Sequence, residues 1–333
     1  MISQRITIAG DGQMALVLAA FAADAGHEVR IWSPLPGYAE ALQTSRRSER
    51  LPELEIPAAV MCTENESLAF ANATLLVSAI PAQFASLCWR RIASHVGAGV
   101  GVVTVTKGIE VGSMLRPTQV LREALGARPL AVLSGPTIAH ELAQRKPAVM
   151  VAASITPAFA QQVQDVFSRP WLRIYTSDDP IGVELAGAAK NVIALAAGMA
   201  DGLQLGFNAK SALLARGLAE IVRLGTAMGS RMETFFGVVG VGDLATTCFS
   251  PDGRNRSLGE AIGRGTTLAQ ALSATQSVIE GVETARALRS LGQQFSVQTP
   301  IIEAVNLVLF EGKDPKQALH DLMNRSAGAE RIA

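Results

Sequence analysis

Lys190 is the only charge between Glu184 and Asp201 in GVELAGAAKNVIALAAGMADG, residues 182–202, and Ala, Gly, Val, Ile and Leu flank it on every helical face. Removing an ammonium from water without a partner costs several kcal/mol, so such a lysine is paired or does chemistry. A stem that snorkels to solvent is the plain alternative. Asn191 beside it is a second polar group in an otherwise dry helix. Asp243 is likewise a lone charge in GVVGVGDLATTC, followed by Thr246 and Thr247, and is the expected partner. A simple ion pair would have the same sequence. A lysine kept charged by a carboxylate can also protonate an oxygen on which negative charge grows during reaction. Beyond the turn Ser250-Pro251-Asp252-Gly253 comes Arg254-Asn255-Arg256, a planar guanidinium fork and an amide suited to phosphate, or else a solvated loop.

Lys107 in VTVTKGIE directly follows an expected central strand, and ligands of open α/β sheets sit off the carboxyl ends of strands. Ser134-Gly135-Pro136-Thr137 repeats this arrangement after the next strand, with Thr137 placed to cap a helix through IAHELAQR and exposed amides that could hold a phosphate. Gly10-Asp11-Gly12-Gln13-Met14-Ala15 joins a strand to a helix. There Gly10 allows a tight turn, Gly12 lets backbone approach a pyrophosphate, and the small Ala15 lets helix pack on strand. A dinucleotide site is expected, with a structural turn as the alternative. The second strand ends in Ile31-Trp32-Ser33-Pro34, without the acid that would hold a ribose diol. Arg46 and Arg47 could pair with a 2′-phosphate, or be solvated surface.

These groups need a frame. Short apolar runs at 5–9, 28–32, 59–63, 74–80, 101–106, 129–134, 148–153 and 172–176 alternate with helical patterns, which means βαβ units and a mostly parallel sheet. Near-continuous Val, Ile and Leu at 74–80 and 101–106 indicates central strands covered on both faces. From about residue 179 the period is helical. The expected fold is an α/β Rossmann-type, doubly wound domain over 1–178, followed by an all-α domain over 179–333.

Composition limits the partners. With 333 residues, 29 basic against 29 acidic, 49% hydrophobic and 17% charged, the chain is that of an apolar globular protein with no global field for nucleic acid or anionic lipid. Three scattered cysteines and four histidines without metal-ligand spacing lead us to expect a reducing, cytoplasmic setting and no metal. RITIAGDGQMA precedes the first apolar helix as a strand-to-helix junction, which argues against a secretory leader. The Lys-Asn pair interrupts the longest apolar helix, so no membrane insertion is expected.

Together, the glycine turn, VTVTKGIE, SGPTIAHELA, GVELAGAAKNVIALAAGMADGL, NAKSALLARGLAEI, GVGDLATTC, GRNRSLG and VIEGVETA resemble the bacterial NAD(P)-dependent glycerol-3-phosphate dehydrogenases over almost the whole chain. The resemblance implies reduction of dihydroxyacetone phosphate to sn-glycerol 3-phosphate for phospholipid synthesis, by NAD or NADP with the preference undecided. By matched motif positions it implies Lys190 as acid/base, with Lys107, Asp243, Thr247 and Asn191 around the reacting carbons and Arg254 with Asn255 on the phosphate. Gly135 and Thr137 would lie near substrate. Gly10, Gly12, Gln13, Met14, Ala15, Pro34, Lys107, Ala139, Arg254, Val278 and Glu280 would contact cofactor. A homodimer is a family-level expectation. The family usually has an aromatic and a third glycine where Met14 and Ala15 stand, Arg or His where Pro34 stands, and Ser where Gly253 stands. Two other readings stay open: a β-hydroxyacid or ketopantoate type reductase, and a non-catalytic dinucleotide-sensing module.

Overall fold

The computed structural model describes residues 3–275, 278–326 and 329. The chain divides into two compact units. One contains the described residues of Met1–Thr106 and Pro117–Pro180, the other Lys107–Arg116 and the described residues of Ile181–Ala333. The sequence places one boundary at 178/179, whereas the structure also assigns residues 107–116 to the second unit. Side-chain chemistry explains the excursion: Arg116 forms an ion pair with the buried Glu184, and Asn191 Nδ2 donates to the Lys107 carbonyl at 3.1 Å.

The first unit is built on eight strands: β1 (Arg5–Ala9), β2 (Glu28–Trp32), β3 (Val60–Thr63), β4 (Leu75–Ser78), β5 (Gly101–Thr104), β6 (Leu130–Ser134), β7 (Ala148–Ala153) and β8 (Leu172–Ser177). They lie in the order β3-β2-β1-β4-β5-β6-β7-β8, and only β6 with β7 is antiparallel. Between them run α1 (Gln13–Asp24), α2 (Tyr38–Ser45), α3 (Glu66–Phe70), α4 (Ala82–Ile92), α5 (Pro117–Leu125), α6 (Ala139–Ala143) and α7 (Pro157–Phe167). Every residue of β4, β5 and β6 is buried, as strands covered on both faces must be. Ile6, Ile8, Val29, Ile31, Val77 and Leu133 of the strands share a core with Phe21 of α1 and Phe159, Val163 and Phe167 of α7. Strand order reverses between β1 and β4, so the glycine turn after β1 opens at the switch point where such sheets take ligands. The sixth apolar run ends as expected, but β5 stops at Thr104 because the Thr106 hydroxyl turns aside to donate to the Ile80 carbonyl at 2.7 Å.

The second unit has no strand among its described residues. Its helices are α8 (Pro180–Gly202), α9 (Gly206–Ala227), α10 (Met232–Phe236), α11 (Asp243–Phe249), α12 (Arg254–Gly263), α13 (Leu268–Ser273), α14 (Glu280–Gln294), α15 (Pro300–Phe310) and α16 (Pro315–Met323). A π-helical turn, Val238–Gly242, leads into α11. Helix α8 is apolar all round, as a core helix should be; it is long and apolar enough to cross a membrane, but 89% of its apolar span is buried inside the protein. It meets α12 main chain to main chain. A Cβ on Gly198 would strike the Arg256 carbonyl, and one on Gly259 would strike the Leu195 carbonyl. Only glycine permits that approach.

Candidate active site

In the helical unit the two isolated charges meet. Lys190, 6% exposed at mid-α8, donates from Nζ to Asp243 Oδ1 at 2.5 Å and to Thr247 Oγ1 at 2.7 Å. Lys107 Nζ donates to the other oxygen of Asp243, Oδ2, at 2.8 Å. One carboxylate, 1% exposed, therefore serves two ammonium groups. Asp243 lies where the π-turn Val238–Gly242 passes into α11, one turn into a continuous helical stretch. The Thr247 hydroxyl donates to the Asp243 carbonyl at 2.7 Å, leaving its oxygen lone pairs for Lys190.

Two opposing effects set the lysine's proton affinity. Burial lowers the Lys190 pKa from 10.5, Asp243 raises it and Lys107 lowers it, and the outcome is about 8. Burial wins. An ammonium with that pKa is mostly charged at neutral pH yet gives up its proton far more readily than an exposed lysine.

A relay of amides holds the surrounding segments. Asn191 Nδ2 donates to the Lys107 carbonyl at 3.1 Å, Asn255 Nδ2 donates to Asn191 Oδ1 at 3.1 Å, and the Gly281 amide donates to Asn255 Oδ1 at 3.0 Å. The Lys107 segment, α8, α12 and the start of α14 are thereby linked. Arg254, the first residue of α12, is exposed and donates from Nη1 to the Val278 carbonyl at 3.2 Å, just before Glu280 opens α14. A second network lies behind this turn and was not singled out in the sequence. Asp201 accepts from Lys210 Nζ at 2.7 and 2.9 Å and from Arg256 Nη1 at 2.6 Å, while Arg256 Nε donates to the Ser250 carbonyl at 3.0 Å. No lone-charge signal marks Lys210, since its helix also carries Arg216, Glu220 and Arg223.

In the sheet unit, Gly10 has φ +118°, and a Cβ there would sit 2.7 Å from the Ala79 carbonyl oxygen. The turn therefore requires glycine. Gly12 is the N-cap residue of α1, has no side-chain cap, and an added Cβ would meet nothing within 4 Å. Uncapped amides facing open space can take the pyrophosphate of a dinucleotide. Ala15 is fully buried, Met14 is partly buried against the core, and Pro34 is half-buried after β2. Gln13 Nε2 donates to the Arg50 carbonyl at 2.5 Å.

One expectation changes. Thr137 does not cap a helix: its hydroxyl donates to the Gly135 carbonyl at 3.1 Å, and α6 begins at Ala139 with Ile138 as its N-cap residue. Arg46 and Arg47 follow the surface reading. Arg46 Nη1 donates to the Val60 carbonyl at 2.7 Å, and Arg47 pairs with Glu55 at 3.1 Å.

Residues 5–160 match the family described as NAD-dependent glycerol-3-phosphate dehydrogenase N-terminus, and residues 179–320 match NAD-dependent glycerol-3-phosphate dehydrogenase C-terminus. The chain is 42% identical over 333 residues to glycerol-3-phosphate dehydrogenase NAD(P)+ 2 of Salinibacter ruber, covering 99% of this chain and 97% of that protein. The chain belongs to the NAD-dependent glycerol-3-phosphate dehydrogenase family. Another relative, from Parafrankia sp., is 42% identical over 98% of this chain and 99% of its own. The crystal structure of glycerol-3-phosphate dehydrogenase from Coxiella burnetii superposes with a TM-score of 0.93 at 33% identity, covering 97% of this chain and 99% of that one. Members of this family are oxidoreductases using NAD(P), and the Rossmann-type sheet unit with its helical partner is the fold they share.

Proposed function

We propose that the protein catalyses the reversible reduction of dihydroxyacetone phosphate to sn-glycerol 3-phosphate with NAD(P)H, as a cytoplasmic source of glycerol 3-phosphate for phospholipids. The observation that carries this reading is the Lys190–Asp243–Lys107 cluster in a chain of this family. When bound, the nicotinamide supplies a hydride to the ketone carbon. As the carbon–oxygen double bond becomes single, Lys190 stabilises the growing negative charge and transfers a proton from Nζ to the oxygen. In the reverse direction the neutral amine takes that proton back. Asp243 aims the ammonium and keeps it charged, Thr247 fixes a second Nζ hydrogen, and Lys107 adds positive charge beside the same carboxylate.

Arg254 and Asn255 at the start of α12 would hold the substrate phosphate, and the resemblance also assigns substrate contacts to Gly135 and Thr137. Binding energy from the phosphate then holds the carbonyl in place, which is how a remote group raises the rate of a reaction it does not enter. Gly10, Gly12, Gln13, Met14, Ala15, Pro34 and Ala139 would receive the dinucleotide, and the resemblance also assigns cofactor contacts to Lys107, Arg254, Val278 and Glu280. The family match in both halves leaves no observation favouring a β-hydroxyacid or ketopantoate reductase or a non-catalytic sensor. Oxidation of NADH and NADPH assayed with dihydroxyacetone phosphate beside unphosphorylated dihydroxyacetone tests the reading. Turnover confined to the phosphorylated ketone is expected; equal rates, or none with either, would overturn it.

A further inference from the structure

By sequence, β2 ends without the acid that commonly binds the adenosine ribose in folds of this type. The structure supplies a carboxylate at that corner from another part of the chain. Asp11, between Gly10 and Gly12, is 7% exposed, and its Oδ2 accepts from the hydroxyl of Ser33, the first residue after β2, at 2.5 Å. Its Oδ1 accepts from Arg50 Nη1 at 2.8 Å. The Arg50 guanidinium lies 4.6 Å over the Tyr38 ring, and the Arg50 carbonyl is bonded by Gln13. The Arg50 loop is thus tied to the glycine turn at two points, one through its side chain and one through its backbone.

Charge selects the ribose. Arg46 is bonded to the Val60 carbonyl, Arg47 is balanced by Glu55 at the surface, and the charge of Arg50 is met by Asp11, so the Asp11–Arg50 pair is neutral overall. A ribose 2′-hydroxyl is uncharged and can donate to a carboxylate. A 2′-phosphate brings nearly two negative charges and must compete with Asp11 for one guanidinium. A buried carboxylate is poorly screened, so that repulsion is not lost to solvent.

We infer that Asp11 is the carboxylate that receives the adenosine ribose hydroxyls, that Arg50 is its counter-ion, and that the protein takes NAD in preference to NADP. The inference rests on the dinucleotide reading given above. Asp11 replaces, from within the glycine turn, the acid that β2 lacks.

Titration of the full-length protein with NAD+ and with NADP+, followed by calorimetry in the absence of ketone, tests it. Wild type should bind NAD+ about 10-fold or more tightly than NADP+, since a like-charge juxtaposition commonly costs that much or more. Asp11→Asn keeps the size, removes the charge and releases Arg50, so the ratio should move toward NADP+ by about 10-fold or more. Arg50→Ala should leave NAD+ preferred. Tighter binding of NADP+ by wild type overturns the inference, and needs no variant to fold. An unchanged ratio in Asp11→Asn, with NAD+ still bound, also overturns it while sparing the dinucleotide reading. Failure to bind either dinucleotide overturns both.

Discussion

Lys190 and Lys107 are bridged by a single carboxylate, with Asp243 Oδ1 2.5 Å from one ammonium and Oδ2 2.8 Å from the other. Two cations on one anion leave a net positive cluster, which suits a site where an alkoxide develops. Asp243 limits the fall in the Lys190 pKa, opposing burial and Lys107 so that it comes to about 8.

Lys190→Ala should lower kcat by about 10²-fold or more, the usual size of a general acid contribution. Dinucleotide affinity, read by titration, should change little, because Lys190 is not among the residues proposed to receive the dinucleotide and its Nζ is engaged by Asp243 and Thr247. Wild-type turnover in the variant would remove Lys190 from the proton step.

Reduction needs the ammonium and oxidation the amine, so the two directions should respond oppositely to pH. With Lys190 titrating at about 8, kcat/KM for ketone reduction should fall as pH rises through that value, and for alcohol oxidation it should rise. Asp243→Asn removes the charge that holds the pKa up while Lys107 still pushes it down, so the limb should move to lower pH. A limb fixed near 8 in that variant would separate the profile from this pair.

Arg254→Ala should raise KM for the phosphorylated ketone by about 10-fold or more, the scale of a charge-assisted hydrogen bond, with kcat less affected. Inorganic phosphate should also inhibit the variant less. An unchanged KM would exclude Arg254 as the phosphate ligand.

Stability has a titration of its own. Glu220 of α9 is 2% exposed and accepts from the Ile301 and Ile302 amides, at 2.7 and 3.2 Å, at the start of α15; burial raises its pKa from 4.5 to about 7. The folded protein thus holds this proton more tightly than the unfolded chain. The stabilisation is complete below about pH 4.5 and is lost as pH rises to about 7. Glu220→Gln has no such proton, so its Tm relative to wild type should climb between those values and level off above them. A constant difference across the range would contradict the assignment.

Much of this was legible in the chain. The strands could be read because fully buried parallel strands are runs of Val, Ile and Leu, and β1 and β2 matched to the residue. Lys190 and Asp243, 53 residues apart, could be paired because each is a lone charge in apolar surroundings, and such charges need one another. Asp11 and Arg50, 39 residues apart, could not, because Arg50 lies in a charged loop where any of several arginines could have been the partner. The passage of residues 107–116 into the helical unit was also hidden: it depends on Arg116 finding Glu184, a contact with no periodic signature. Thr137 misled because a hydroxyl before a helix has the same sequence whether it caps the helix or closes a bend.

The glycines between α8 and α12 bear on which substrates fit. Gly198 and Gly202 on one helix, and Gly259 and Gly263 on the other, bring the two backbones into direct contact, and Lys190 rides on the first while Arg254 begins the second. Under the proposed reading, the span from protonated oxygen to phosphate is gauged by main chain, which cannot repack as side chains do. The side chains of Lys190 and Arg254 that end this span keep their own torsions, so a ketone with one more carbon before its phosphate would have to be met by those two side chains alone, against a fixed separation of the backbones.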